Sequence, residues 1–246
     1  MSEEQNQWFK SWFDTEEYHE LYGHRDYTEA EKFIAKLVEH LKIPKGANCV
    51  DLACGKGRHS NTLAQLGMNV LGLDLSINSI QYAQANALKG SRFLVHDMRD
   101  ILPIDNLDYI FNLFTSFGYF ESPKTDETIL SHQFEALNTN GIFVQDYLNA
   151  ASVINQLPQH QTIEKPTKTY QIEKFIEAGF VKKQIQFTRN EEQFTFVEQV
   201  KIYKTEELMA LHEKAGFKIL NSFGDYKLNS FNEATSPRII IISKKC

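Results

Sequence analysis

Three apolar stretches of this chain each end in residues whose types suit a nucleoside-bearing ligand. The first is Val50-Asp51-Leu52-Ala53-Cys54-Gly55-Lys56-Gly57-Arg58. Glycines at 55 and 57 permit backbone conformations, and a close ligand approach, that a Cβ would block. The second, Val70-Leu71-Gly72-Leu73-Asp74, closes on a carboxylate able to accept both hydroxyls of a ribose. The third closes on His96-Asp97-Met98, which offers a purine base a carboxylate acceptor and an apolar thioether.

A glycine turn alone is a weak signal, because Gly55-x-Gly57-x-x-Ser60 also approximates a dinucleotide fingerprint. Asp51 separates the two readings. A pyrophosphate-binding loop is expected to avoid a carboxylate at the strand end, whereas a ligand carrying an ammonium and a sulfonium gains from one. Lys56 and Arg58 are the only basic residues in the turn.

The elements around these stretches follow from periodicity. Residues 7–22 carry Trp8, Phe9, Trp12, Phe13, Tyr18 and Tyr22, and the spacing of the first four puts their rings on one helical face. This segment either packs on the body or acts as a lid over a pocket. Thr28-x-x-Glu31 has the form of a capping box, opening a helix through Ala30, Phe33, Ile34, Leu37, Val38 and Leu41. Strands over 48–53, 69–74, 91–96, 107–114 and 141–147 then alternate with helices, one of them capped by Ser76. That rhythm implies parallel βαβ units with both sheet faces covered. From about Ala150 it breaks, and 169–176, 180–189 and 194–203 read as a three-stranded antiparallel meander with turns near Gly179 and Asn190-Glu191. A helix capped by Thr205 and two strands, 217–226 and 238–243, complete the chain. The expected organisation is one domain over 1–246, with residues 1–45 as an N-terminal helical cap and 150–204 as inserted strands over the active site.

Bulk properties exclude several classes. Over 246 residues the net charge is −6, with 42% hydrophobic and 24% charged residues, so no nucleic-acid partner is expected. No apolar run approaches a membrane span. Three cysteines without metal-ligand spacing fit a reducing compartment. A cytoplasmic monomer or homodimer without membrane association is expected, and no metal cluster, Walker loop or nucleophile elbow is found.

The glycine turn, Gly72-Leu73-Asp74-Leu75-Ser76 and His96-Asp97-Met98-Arg99 together resemble the class I S-adenosylmethionine-dependent methyltransferase superfamily, over roughly residues 30–246. Asn112-Leu113-Phe114 and Gly141-Ile142-Phe143-Val144 resemble its fourth- and fifth-strand motifs. The resemblance implies an α/β fold with a seven-stranded, mostly parallel sheet of order 3-2-1-4-5-7-6, plus a small antiparallel β insertion. By position, Asp51, Ala53, Gly55 and Gly57 would hold the methionine portion of the cofactor and Asp74 its ribose, with Leu75 in the same matched stretch. Asp97 and Met98 would border the adenine, and Asn112 and Leu113 would offer backbone to the methionine end. Ala53 departs from the glycine common there. The inserted strands and aromatic N-terminal segment look like those of small-molecule methyltransferases, which implies a small-molecule methyl acceptor.

Phe114-Thr115-Ser116-Phe117-Gly118-Tyr119-Phe120 and Asp146-Tyr147-Leu148-Asn149 follow the fourth and fifth strands and should face the reacting methyl. Their phenylalanines also suit core packing, while Tyr119 and Tyr147 have hydroxyls that need partners. Methyl transfer from a sulfonium is an in-line displacement in which positioning and desolvation can suffice. Where the nucleophile must lose a proton, His19, Tyr119 and Tyr147 are the catalytic candidates, with His59 behind them. Tyr18, Tyr22 and Arg25 could close over the cofactor, Arg25 pairing with its carboxylate. Two other readings stay open: a nicotinamide oxidoreductase, which Asp51 and Asp97-Met98 oppose, and a non-catalytic cofactor-binding module.

Overall fold

Short apolar runs become strands, and amphipathic runs between them become helices. The computed structural model describes residues 8–22 and 27–246. The chain begins with α1 (Trp8–Trp12), α2 (Glu16–Tyr22), α3 (Tyr27–Leu41), β1 (Asn48–Leu52), α4 (Arg58–Gln65), β2 (Asn69–Asp74) and α5 (Ile77–Ala85). It continues through β3 (Ser91–Val95), β4 (Leu107–Asn112), α6 (Pro123–Ala136), β5 (Leu137–Leu148) and α7 (Ala150–Gln156). Next come β6 (Gln159–Glu164), β7 (Thr169–Glu177), β8 (Phe180–Arg189) and β9 (Glu192–Lys201). It closes with α8 (Thr205–Lys214), β10 (Phe217–Phe223) and β11 (Arg238–Lys245).

Contacts divide the chain into two compact units, one of residues 26–152 and 203–246, the other of 1–25 and 153–202. The larger unit holds a seven-stranded sheet of order β10-β11-β5-β4-β1-β2-β3. β1 to β5 run parallel and β11 runs antiparallel to both neighbours. Counted within the sheet, this is the expected 3-2-1-4-5-7-6. One face is packed by Phe33, Ile34 and Leu37 of α3 and Leu63 of α4 against Cys49, Val70, Phe111, Val144, Ile240 and Ile242. Burying each large side chain stabilises the fold by about 1.5–3 kcal/mol.

In the smaller unit β6 to β9 form an antiparallel sheet. Trp12 and Leu21 bury against Tyr170, Ile172, Ile185 and Phe187 on it. Positive φ at Ala178-Gly179 and Asn190-Glu191 makes the two tight hairpin turns expected there.

Several local readings change. The meander has four strands rather than three, because β6, Gln-His-Gln-Thr-Ile-Glu, is almost wholly exposed and has no alternating apolar face. α7 was not anticipated either. The aromatic segment 8–22 is two helices, broken at Phe13–Thr15, rather than one. α3 begins at Tyr27, so Thr28 lies inside its first turn rather than ahead of it. α8 is capped by Lys204, whose N–H donates to Glu207 at 2.8 Å, and Thr205 is its first helical residue. The expected 1–45 cap is divided, with α1 and α2 in the smaller unit and α3 in the larger.

Candidate functional site

The register sets the strand ends side by side. Leu52 pairs with Leu73 on one flank and Asn112 on the other, so β1, β2 and β4 deliver their C-terminal residues to one edge of the sheet. Open α/β sheets bind ligands at that edge. The chain leaves β1 through residues in the left-handed region: Ala53 at φ +59°, Gly55 at +54° and Gly57 at +79°. A Cβ on Gly57 would lie 2.6 Å from the Phe93 ring, while one on Gly55 would meet nothing within 4 Å. Gly57 is therefore set by packing, and Gly55 presents bare backbone. Ala53 adopts a conformation natural to glycine, at about 1–2 kcal/mol of strain.

Asp74 organises the turn. One carboxylate oxygen accepts the Gly55 N–H at 2.8 Å and the other the Ser76 N–H at 2.8 Å. Ser76 in turn caps α5, its hydroxyl accepting the Ser79 N–H at 3.0 Å, and Leu75 stands between these anchors. Asp51 is buried and accepts the Ser60 hydroxyl at 2.6 Å. Burial pushes its carboxyl up to about 6, and the Asp74 charge adds to the rise. Ser60 and the Arg58 charge oppose it. Asp97 is held by Arg99 through contacts of 2.6 and 3.0 Å and accepts the Arg99 N–H at 3.0 Å, with Met98 between them.

Asn112 is fully buried on β4. Its Nδ2 donates to the Leu52 carbonyl at 3.3 Å and the Ser116 carbonyl at 3.0 Å, while Oδ1 accepts from no described residue. A buried acceptor left without a donor calls for a ligand group or water. Leu113 follows it, also buried. Bare backbone at Gly55, a carboxylate at Asp74 and an orphaned acceptor at Asn112 fit a nucleoside whose tail carries N–H donors. Among the described residues no group of three or more histidine, cysteine or acidic side chains is placed to hold a metal.

In the segment expected to face a methyl acceptor, Phe114 and Thr115 are consecutive non-glycine residues at φ +60° and +62°. The Tyr119 hydroxyl donates to the Thr115 carbonyl at 3.0 Å. Tyr147 is fully buried, with Phe117 at 6.1 Å and Tyr203 at 6.2 Å between ring centroids. Burial, with the Asp126 charge next, pushes its phenol well above the usual range, so it keeps its proton at physiological pH. The Tyr203 hydroxyl donates to Asp126 at 2.6 Å.

The remaining candidates belong to the smaller unit. Tyr18 packs among Trp12, Phe13 and Tyr22, and His19 lies edge-on to Tyr18. The Tyr22 hydroxyl donates to Glu198 at 2.7 Å and accepts from Lys183. Glu198 also takes the Trp12 indole N–H at 2.6 Å. Arg25 lies outside the described residues. Sequence reasoning missed Ser60 as the partner of Asp51, although it stood in the Gly-x-Gly-x-x-Ser pattern. It also missed the Asp146–Arg238–Tyr226 cluster, which no local spacing announces.

A family model described as a methyltransferase domain matches residues 43–216. A Bacillus subtilis (strain 168) protein provisionally named methyltransferase YqeM is 28% identical over 144 residues, covering 57% of this chain and 56% of that protein. The chain spans about half the length of the curated relatives it matches. Among solved structures, an S-adenosylmethionine-dependent methyltransferase from Clostridium acetobutylicum ATCC 824 superposes with a TM-score of 0.78 at 19% identity, over 92% of this chain and 94% of that one. The sugar N-methyltransferase KedS8 from Streptoalloteichus sp. ATCC 53650 superposes at 0.70 and 16% identity, over 89% and 88%. These likenesses establish the fold as that of the class I methyltransferases.

Proposed function

This chain belongs to the methyltransferase-domain family, whose cofactor is S-adenosylmethionine, and we propose that it methylates a nitrogen or oxygen of a small molecule. The observation that carries this reading is the carboxylate of Asp74, tied to the Gly55 N–H at the edge where β1, β2 and β4 end. A hydroxyl-accepting carboxylate then stands beside bare backbone, with the Asp51 charge behind it. The small-molecule acceptor is supported by the likeness of fold to KedS8, a sugar N-methyltransferase.

The cofactor, when bound, supplies a methyl group on a sulfonium. The residues of this chain would bind and orient: Asp74 would take the ribose hydroxyls, with Leu75 beside it in the chain, Asp97 and Met98 would border the base, and Asp51 would favour positive charge near the turn. Tyr119 would orient the acceptor by hydrogen bonding, while Tyr147, fully buried beside Phe117 and Tyr203, supports that segment from within. With so good a leaving group, alignment and exclusion of water do most of the work.

Calorimetry with S-adenosylhomocysteine should give micromolar-range binding, and an absence of heat at millimolar ligand would sink the reading. Release of S-adenosylhomocysteine should then be followed with panels of small amines and alcohols. Turnover with RNA or protein alone would overturn the small-molecule assignment, and binding without any turnover would favour a non-catalytic module.

A further inference from the structure

Asp146 ends a chain of contacts that reaches the site from the far side of β4. It is fully buried near the end of β5. Its Oδ2 accepts the Phe114 N–H at 2.8 Å and the Tyr226 hydroxyl at 3.1 Å, and its Oδ1 accepts from Arg238. Its carbonyl accepts the Thr115 N–H at 2.9 Å. One residue thus takes both amides of the consecutive left-handed pair.

The Phe114 ring is clamped as well. It stacks on Tyr226 at 5.1 Å and faces His59 at 5.0 Å, with the Arg58 guanidinium 4.1 Å from its centre. Two left-handed non-glycine residues persist only where the surroundings over-determine them. Here the carboxylate, the backbone carbonyl and the ring stack do so together.

The reversal determines where the Ser116 carbonyl points. That carbonyl and the Leu52 carbonyl take both donors of the Asn112 amide, so Nδ2 must face them and Oδ1 must face away. We propose that Asp146 is a positioning residue which, through Phe114, Thr115 and Ser116, fixes Asn112 so that its Oδ1 accepts from the ammonium of the cofactor's methionine portion. This rests on the cofactor reading above. It assigns the ammonium to a side-chain atom on β4 and makes the β10–β11 connection, through Tyr226 and Arg238, part of the binding machinery.

The test compares two ligands of the full chain. S-adenosylhomocysteine carries the ammonium and carboxylate, and 5′-methylthioadenosine keeps the nucleoside and thioether but lacks both. In Asp146→Asn, affinity for the first should fall about tenfold, the size expected for one charge-assisted hydrogen bond, and for the second by less than about twofold. Amide exchange at Phe114 and Thr115 should quicken by about tenfold or more, with Phe111 and Val144 unchanged. Equal loss for both ligands, no loss for either, or intact protection at Phe114 and Thr115 would overturn the proposal. If Asp146→Asn does not fold, Tyr226→Phe removes one bond to the same carboxylate and should shift the two affinities in the same pattern, by about threefold. Should the wild-type chain bind neither ligand, the cofactor reading fails and the Asn112 assignment fails with it. Exchange at Phe114 and Thr115 then decides separately whether Asp146 holds the reversal.

Discussion

Asp74 at the end of β2 accepts the backbone N–H of Gly55 across the strand gap at 2.8 Å. The residue expected to hold a ribose therefore also shapes the glycine turn. Asp74→Ala removes both functions. It should weaken S-adenosylhomocysteine at least about tenfold and cost about 1–3 kcal/mol of stability, since two backbone donors lose their acceptor. Asp74→Asn keeps one carbonyl oxygen and separates the effects, with most of the stability retained and the affinity still lost. Calorimetry and urea unfolding on the same samples would decide, and undiminished affinity in Asp74→Ala would refute the ribose assignment.

The two glycines of the turn should respond oppositely to alanine. At Gly57 the new Cβ would sit 2.6 Å from Phe93 at φ +79°, so overpacking adds to left-handed strain. Gly57→Ala should lose about 2–5 kcal/mol and lower the melting temperature by several degrees. A Cβ on Gly55 would meet nothing within 4 Å, so Gly55→Ala should cost only about 1–2 kcal/mol of backbone strain. Its Cβ occupies space a ligand would use, so its cofactor affinity should fall although its fold holds. Thermal unfolding beside calorimetry on both variants checks this inversion.

What was legible in the sequence was local. Asp51, Asp74 and Asp97 each close a short apolar run, and a parallel sheet must carry such run-ends to one edge, so the fold and the gathering of these carboxylates at that edge followed. β6 escaped because an exposed strand needs no apolar alternation to announce it. Asp146 and Arg238 meet across 92 positions, and His212 reaches Gln145 across 67, so neither pairing has a spacing to read. The reversal at Phe114 and Thr115 was hidden for another reason. Neither is glycine, and the left-handed pair is stabilised by Asp146 and Tyr226 rather than by its own residue types.

His212 is fully buried, its ring between the Ser243 hydroxyl at 2.6 Å and the Gln145 side-chain Oε1 at 2.8 Å. Burial lowers its pKa from the ordinary histidine value of 6.5 to about 3, so the folded chain holds it neutral. Between those values the unfolded chain binds a proton that the folded chain refuses. Stability from this group is complete above about pH 6.5 and falls as pH drops toward 3, by up to about 1.4 kcal/mol per pH unit. His212→Gln should be less stable at pH 7.5, because one buried partner is left unmatched, yet lose less on acidification. Urea midpoints at pH 4.5 and 7.5 measure the slope, and equal slopes for the two proteins would contradict the assignment.

Asp51 carries the opposite sign. Its folded value of about 6 exceeds the ordinary aspartate value of 3.8, chiefly through burial, so the folded chain binds the extra proton between them. Stability from this group therefore falls as pH rises through that window, by about 2–3 kcal/mol in all. Asp51→Asn can still accept the Ser60 hydroxyl and should be more stable than wild type at pH 7.5, the two converging near pH 4. Binding runs the other way. A ligand ammonium near the turn favours the carboxylate, so binding should release a proton below about pH 6, and wild-type affinity for S-adenosylhomocysteine should climb from pH 5 to pH 7 and then level. The asparagine variant should bind more weakly at pH 7.5 and lose most of that climb. Calorimetry in buffers of different ionisation enthalpy would reveal the released proton. An Asp51→Asn variant that retained both full affinity and the wild-type pH dependence would show that the carboxylate in the glycine turn does not sense the charge of the ligand.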